Sequence, residues 1–512
     1  MTPLLALLTL ACSDDIDPTE DDTATVEDPI VDVQWAPCSL VEGEDDGLAE
    51  CATTALPLFR DDPDDDRTID IAAKRLRAGD DPVAQLWLLD GGPGSSGVIR
   101  LPGLMARFAE WFPGVEVLTI DHRGTGYSER MGCPAELRNS PGGTSILNEE
   151  MDACIADFQD TLGDRPDAYG TTASAQDVID LIRGSRIDGV PVYVWGGSYG
   201  TYWAQRVLLL APELLDGVVI EGIFPADGTM IYAEANTDAA AHALFDLCAE
   251  DTLCRERLGE DPWGRLREVY AMVDAGHCTS QGLSSDVVSI IFAYLMYSRA
   301  GMSVIPAATA RLERCAPADE TALVHLYTAL FGSGGAFDID SYSMLLQHHV
   351  VSSEMWTHPD FDGVDLYGYY DDLYAEALVA KQYGYTRADL AARWPAYSDP
   401  AHDDVFPETD TPVLMLQGAL DPVTAEVWAR DLADHLDGPN QHYVVFPSSA
   451  HNVSGDSPTA DGTLCGGQIM AAFLEDPTAT PDTSCVAETL PVDFDPPSAY
   501  ADYWFGTTDA WD

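Results

Sequence analysis

Val192-Tyr193-Val194-Trp195-Gly196-Gly197-Ser198-Tyr199-Gly200 is the stretch on which the reading of this chain turns. A short apolar run breaks off into Gly-x-Ser-x-Gly, and helix-forming residues follow at once over 201–210. Strand, turn and helix in immediate succession place Ser198 on a sharp, strained corner at the edge of a sheet. The glycines at 196 and 200 have a steric task, since side chains there would collide with neighbouring elements. The corner would lift the serine hydroxyl clear of the sheet. The helix behind it would aim its positive N-terminal end at the same spot.

Further strands are expected on either side of this corner, at 68–73, 84–89, 115–120, 192–195 and 218–221, with helical stretches between them. Such alternation predicts a mostly parallel, doubly wound sheet covered on both faces. Near-continuous apolar runs, such as Gln85-Leu86-Trp87-Leu88-Leu89, suit strands buried on both sides. The pattern breaks after about Phe224. From 228 to about 397 the chain is rich in Ala, Leu, Met and Tyr at helical spacing, with examples at 239–248, 262–273, 287–297 and 370–383. Strands resume at 412–417 and 442–446. A helical insertion between two parts of a parallel sheet reads as a cap over the carboxyl ends of the strands, where such sheets hold their sites.

Three more segments bear on Ser198, each at a strand end. Asp90-Gly91-Gly92-Pro93-Gly94 frees the backbone to turn an amide toward a ligand; Gly92 is the expected donor, with the amide of Tyr199 as its partner in holding an oxyanion. Asp421, in Gly418-Ala419-Leu420-Asp421-Pro422, is placed to orient a histidine. His451, in Pro447-Ser448-Ser449-Ala450-His451-Asn452, is that histidine. Serine is a weak nucleophile until a base takes its proton, and a buried carboxylate fixes the base in position. The chain order Ser198, Asp421, His451 is that of α/β-hydrolases and of neither chymotrypsin-like nor subtilisin-like enzymes.

Asp90-Gly-Gly-Pro-Gly, Ile120-Asp121-His122-Arg123-Gly124-Thr125-Gly126-Tyr127-Ser128 and Gly196-Gly-Ser-Tyr-Gly together resemble the proline iminopeptidase and tripeptidyl aminopeptidase family. That family usually reads His-Gly-Gly-Pro-Gly and Asp-Gln-Arg-Gly-x-Gly-x-Ser, so Asp90 and His122 are departures beside the expected oxyanion loop. The likeness runs over residues 86–224 and 412–473, and the region 465–485 resembles the carboxy-terminal segment of the tripeptidyl branch. It implies an α/β-hydrolase fold with an inserted helical cap and an aminopeptidase that releases short amino-terminal pieces, without a cofactor. Arg123 is expected to pack beneath the site as scaffold. An exopeptidase must also recognise a free α-amine, which a buried carboxylate does best. Glu221, at the end of the 218–221 strand, is the first expectation for that role, and Glu234 in the cap the second. An esterase or lipase would share the same triad and corner. A non-catalytic binding protein on this fold would be expected to have lost the serine or the histidine.

The chain has 512 residues, 87 acidic and 25 basic, for a formal net charge of −62. Such a surface repels nucleic acid and anionic membranes. Its apolar run at 4–11 is too short to span a bilayer and ends in Ala11-Cys12, followed by Ser13-Asp14-Asp15; this resembles a bacterial lipoprotein signal in which Cys12 is lipidated, the alternative being a plain secretion signal with an incidental cysteine and a secreted protein. Membrane association would then rest on that anchor alone. Setting Cys12 aside leaves Cys38, Cys51, Cys133, Cys154, Cys248, Cys254, Cys278, Cys315, Cys465 and Cys485, an even count that suits disulfides in an exported protein. Pairing neighbours in sequence gives 38–51, 133–154, 248–254, 278–315 and 465–485, one of many connectivities open to ten cysteines. Neither C-x-x-C nor H-E-x-x-H occurs, so no metal site is expected. The expected division is a signal over 1–12, an acidic tether over 13–34, a first core segment over 35–227, a cap over 228–405 and a second core segment over 406–512.

Overall fold

The computed structural model describes residues 31–512 apart from 45, 63, 138–139, 142–145, 164, 281, 333–339 and 357–362. The signal-type run, Cys12 and nearly all of the acidic tether lie outside the described residues. Nine strands form one sheet: β1 (Ala36–Cys38), β2 (Ala49–Pro57), β3 (Thr68–Leu76), β4 (Ala84–Leu89), β5 (Val115–Ile120), β6 (Val192–Gly197), β7 (Gly217–Glu221), β8 (Val413–Gly418) and β9 (Gln441–Phe446). Their order is β1-β2-β3-β5-β4-β6-β7-β8-β9. Pairing is antiparallel from β1 through β3 to β5 and parallel from β5 to β9. This is the doubly wound, mostly parallel sheet that the alternation of strands and helices predicts.

Every residue of β4, β5, β7 and β8 is buried. Alternate side chains go to opposite faces, so a strand sandwiched between helices must be apolar throughout. Trp87 and Leu89 join one core with Val178, Ile182, Ala204 and Val207 of the helices Thr171–Ser185 and Tyr199–Leu210. Leu86 and Leu88 face the other way, against Met105, Phe108, Ile469 and Phe473 of the helices Pro102–Trp111 and Cys465–Glu475. β2, next to the edge, alternates buried with more exposed positions over most of its length.

Between β7 and β8 the described residues are helical, beginning with Ala233–Glu250 and ending with Gly384–Arg393, and they enclose an apolar core of their own. Two features differ from expectation. The expected helix at 370–383 ends at Glu376, and residues 377–383 run as a non-helical loop. The chain beyond about 490, expected as part of the sheet domain, packs on the cap: Val492, Phe494, Ala501, Phe505 and Trp511 are buried among the cap helices. Arg311, fully buried in the helix Ile305–Arg314, explains the attachment. Its guanidinium donates to the carbonyls of Asp509, Ala510 and Asp512. An internal charge has to be hydrogen-bonded, and the carboxy-terminal backbone supplies the acceptors.

Disulfides join Cys38–Cys51, Cys133–Cys154, Cys248–Cys254, Cys278–Cys315 and Cys465–Cys485, with Cα–Cα distances of 5.3–5.8 Å. Each closes a short loop, and each pairs neighbours in sequence. No described helix is long and apolar enough to cross a membrane.

Candidate active site

Ser198 stands between β6 and the helix Tyr199–Leu210 with φ of 57°, in the left-handed region that a side chain enters only at a cost of about 1–2 kcal/mol. Its amide donates to the Glu221 carbonyl at 3.1 Å, which ties the corner to the end of β7. A Cβ on Gly196 would lie 2.2 Å from the Gly200 carbonyl oxygen, and one on Gly200 would lie 2.1 Å from that of Leu89. The corner can be this tight only with glycine at both positions. As the first residue of its helix, Tyr199 has an amide with no intrahelical acceptor.

Asp421 and His451 follow β8 and β9, and the structure brings them together: Nδ1 of His451 lies 2.8 Å from Oδ2 of Asp421. The other carboxylate oxygen accepts the amides of Val423 (2.8 Å) and Thr424 (3.0 Å), and the Thr424 hydroxyl donates to Oδ2 at 2.8 Å. Gln417 adds a longer contact at 3.3 Å. Burial works against the Asp421 carboxylate, but the neighbouring imidazole and these donors outweigh it and hold its pKa below the ordinary value. Burial likewise disfavours the His451 imidazolium. Asp421, with Glu221 behind it, more than offsets this and raises the histidine's pKa, while the charge of Lys381 opposes. Gly222, at φ +63°, backs directly onto the ring: a Cβ there would come within 2.9 Å of Nδ1 and Cε1. Ser198 and His451 thus meet the same strand end, through the Glu221 carbonyl and through Gly222.

In the loop after β4, Gly91 packs against the serine, since a Cβ on it would lie 3.2 Å from Ser198 Oγ. Its amide is committed to the Asp90 carboxylate at 2.8 Å. The amide of Gly92 carries no partner among the described residues. Asp90 is half-buried and pairs with Arg100 at 3.5 Å; what burial it has pushes its carboxyl up, against the pull of Arg100 and the Gly91 amide. The other departure, His122, has its Nε2 3.1 Å from the Tyr199 hydroxyl, which also meets Thr171 at 2.8 Å. Burial lowers the His122 pKa to about 4, so this histidine stays neutral and holds the residue after the serine in place. Arg123 is fully buried and grips Asp177 through Nε and Nη2, both at 2.7 Å, beneath the site.

The two carboxylates considered for an amine stand differently. Glu221 is buried under His451, with its oxygens taken by the amide (2.7 Å) and hydroxyl (2.8 Å) of Ser454. It therefore faces the histidine's support, not an open pocket. Glu234, itself buried, lines a pocket with Met230, Thr237, Tyr370, Lys381, Arg387 and Val423. Its carboxylate accepts the amides of Lys381 (2.7 Å), Gln382 (3.2 Å) and Tyr383 (3.0 Å). Three residues earlier in the same loop are caught as well: Leu378 and Val379 donate to Asp238 at 2.8 and 2.9 Å, and Ala380 donates to Ser289 at 2.8 Å. Sequence reading gave no role to Thr424, Lys381 or the acceptors at 238 and 289. The signal that could have found Lys381 was its rarity, since it is one of two lysines in the chain. Among the described residues one cluster has atoms of metal-ligand type, Cys278, Cys315 and Glu320, and its two sulfurs are joined as a disulfide.

Residues 86–253 match a family model described as alpha/beta hydrolase fold, and residues 377–485 match one described as TAP-like protein. Among curated proteins there is no match. Solved structures that align include the proline iminopeptidase of Mycobacterium smegmatis, at 14% identity over 83% of this chain and 93% of that one, with a TM-score of 0.32. A proline iminopeptidase-related protein of Thermus thermophilus aligns at 13% identity over 77% and 88%, TM-score 0.29. A carboxyl esterase of Bacillus coagulans aligns at 12% identity over 79% and 93%, TM-score 0.33. At such scores these likenesses carry no argument about what the chain does.

Proposed function

We propose that this chain, an α/β-hydrolase with a TAP-like carboxy-terminal segment, is a serine aminopeptidase that removes short amino-terminal pieces from peptides. The observation that carries the proposal is the Asp421–His451 pair, held at the strand end that also fixes the Ser198 corner. In the proposed cycle His451 takes the proton of Ser198 as Oγ attacks the scissile carbonyl, and Asp421 stabilises the imidazolium. The free amides of Gly92 and Tyr199 hold the oxyanion. His451 then protonates the leaving amine, and water releases the acyl group by the reverse sequence. For the substrate's α-amine, Glu234 is the carboxylate on the pocket wall. A carboxylate offers about four lone-pair sites, and three amides leave room for one more donor. The five disulfides support an oxidising compartment, and we assign the protein to the exported class on that ground.

The test is a panel of aminoacyl, tripeptidyl and acyl-ester chromogenic substrates, each with a free and an acetylated amino terminus. Free-amine peptides should be cleaved, and acetylation should lower kcat/KM by roughly a hundredfold or more, since an unpaired buried charge is costly. Ser198→Ala should lose about a million-fold in turnover, as in other serine enzymes with a broken triad. Equal hydrolysis of blocked and free peptides, or turnover of esters alone, would overturn the aminopeptidase reading.

A further inference from the structure

Lys74 and Lys381 are the only lysines in the chain. Lys74 is buried on β3 and gives its ammonium to the Leu40 carbonyl at 2.8 Å. Lys381 stands at the candidate active site. Its Nζ lies 4.5 Å over the Tyr297 ring and 5.8 Å over that of Tyr294, and donates to the Tyr297 hydroxyl. Tyr297 in turn meets the His451 ring edge-on, centroid to centroid at 6.2 Å. Arg387, half-buried, lines the same pocket and also a second cavity beside it, with His348, Ser352 and Trp356.

Neither cation meets a carboxylate among the described residues. Arg60, Arg123, Arg206, Arg265, Arg311 and Arg314 each lie against one or more acids. With 87 acids to 25 bases, an acid beside a given cation is the ordinary outcome here. A partly desolvated cation lacks water's compensation and gains most from a buried anion partner. The nearest acid on the pocket wall, Glu234, is turned to the loop amides, and those same bonds fix the backbone that carries Lys381. Six consecutive amides, 378–383, are held by side chains of the cap. A cation presented on so constrained a loop is preorganised for an anion from outside.

We infer that Lys381 and Arg387 form an anion subsite that binds a carboxylate of the substrate, an inference that rests on this pocket serving Ser198. The favoured substrate is then a short anionic peptide, its carboxylate coming from an Asp or Glu side chain or from its own carboxy terminus. The bland alternative is that Lys381 is satisfied by stacking on the two tyrosines and Arg387 by solvent.

Matched peptides separate these readings: one pair differs only as carboxylate or carboxamide at the carboxy terminus, the other only as Glu or Gln within the chain. The wild-type enzyme should prefer the acid of at least one pair by roughly tenfold or more in kcat/KM, as expected for a charge-assisted bond. Which pair shows it names the source. Lys381→Met and Arg387→Met should each cut that ratio, Lys381→Glu should invert it, and Lys381→Arg should keep it. Calorimetry with Ser198→Ala reads the same ratios as affinities, without turnover. The p-nitrophenyl esters of succinate and butyrate repeat the comparison without a peptide bond. If peptides are cleaved but neither pair nor the esters show a preference for the acid, the subsite is overturned and the peptidase reading stands. If no peptide is cleaved while succinate is preferred, the peptidase reading falls and the subsite stands. A preference that persists in the Lys381→Met/Arg387→Met double variant would also overturn it.

Discussion

In the proposed cycle His451 must be neutral to accept the serine proton, so the rate should fall as acid protonates it. Free histidine titrates near about 6.5. Asp421 and Glu221 stabilise the imidazolium, and together they outweigh burial and Lys381. The folded pKa therefore lies above the ordinary value, and the rising limb of kcat/KM against pH should have its midpoint above that of free histidine. Asp421→Asn removes the largest stabilising neighbour, so its residual activity should show a rising limb shifted to lower pH. A midpoint that stays put in Asp421→Asn would break the link between the pair and the titration. Lys381→Met should shift the limb the other way, upward, because a repelling charge is removed. The meeting of Ser198, Asp421 and His451 at neighbouring strand ends was readable in the sequence because each sits where an apolar strand run stops, and strand ends are visible in composition. Thr424, Gln417 and Gly222 were not. Their value lies in which atoms face Asp421 and His451 across strands, and nothing in the local sequence carries that.

The loop between the helices Leu366–Glu376 and Gly384–Arg393 shows why the element scale is read less well. Residues 370–383 are rich in Tyr, Ala and Leu, so local propensity favours continuing the helix, as the sequence reading did. The helix stops because acceptors from elsewhere offer the backbone an alternative: Asp238 and Glu234 on the helix Ala233–Glu250, and Ser289 on Ser285–Leu295. Side-chain acceptors compete with helical carbonyls for amides. Charged acceptors contribute about 1.5–3 kcal/mol per bond, against a few tenths per residue of propensity. Contacts from roughly a hundred or more positions away decide the outcome, so a local window cannot see it. Asp238→Ala should therefore speed hydrogen exchange at the amides of Leu378 and Val379 by roughly tenfold or more. It should raise KM more than it lowers kcat, since the loop carries Lys381 but no triad residue. Unchanged exchange at these two amides would show that the loop is held by packing and not by the carboxylate. Strands were read better, because a strand with both faces buried announces itself as an unbroken apolar run, as in β4 and β8.

At the scale of the whole molecule, charge is the dominant fact. The sheet, its two covering layers and the cap were legible from alternation and its interruption. The attachment of the chain beyond 490 to the cap was not, since it depends on Arg311 needing acceptors in a core assembled from distant segments. The net charge of −62 sets two opposing responses to salt. Screening weakens surface ion pairs such as Arg165–Asp61 and Arg393–Asp152, each contributing about 0–1 kcal/mol. It also weakens repulsion among like charges, which destabilises the compact state. Stoichiometry decides between them: 25 positive charges can neutralise the charge of only 25 of the 87 acids, however many acids each base touches, which leaves a net 62 negative charges to repel. The fully buried pair Arg123–Asp177 is removed from solvent and should respond little. Repulsion therefore wins, and stability should rise with ionic strength. The Debye length shrinks from about 30 Å at 0.01 M to about 3 Å at 1 M, so most of the gain should come below about 0.5 M. Thermal unfolding in sodium chloride and in choline chloride should show Tm climbing steeply and then levelling in both, because screening depends on ionic strength and not on the cation. A Tm that is flat or falling over this range would show that the acids are spaced widely enough not to repel, while a rise in sodium alone would point to specific cation binding.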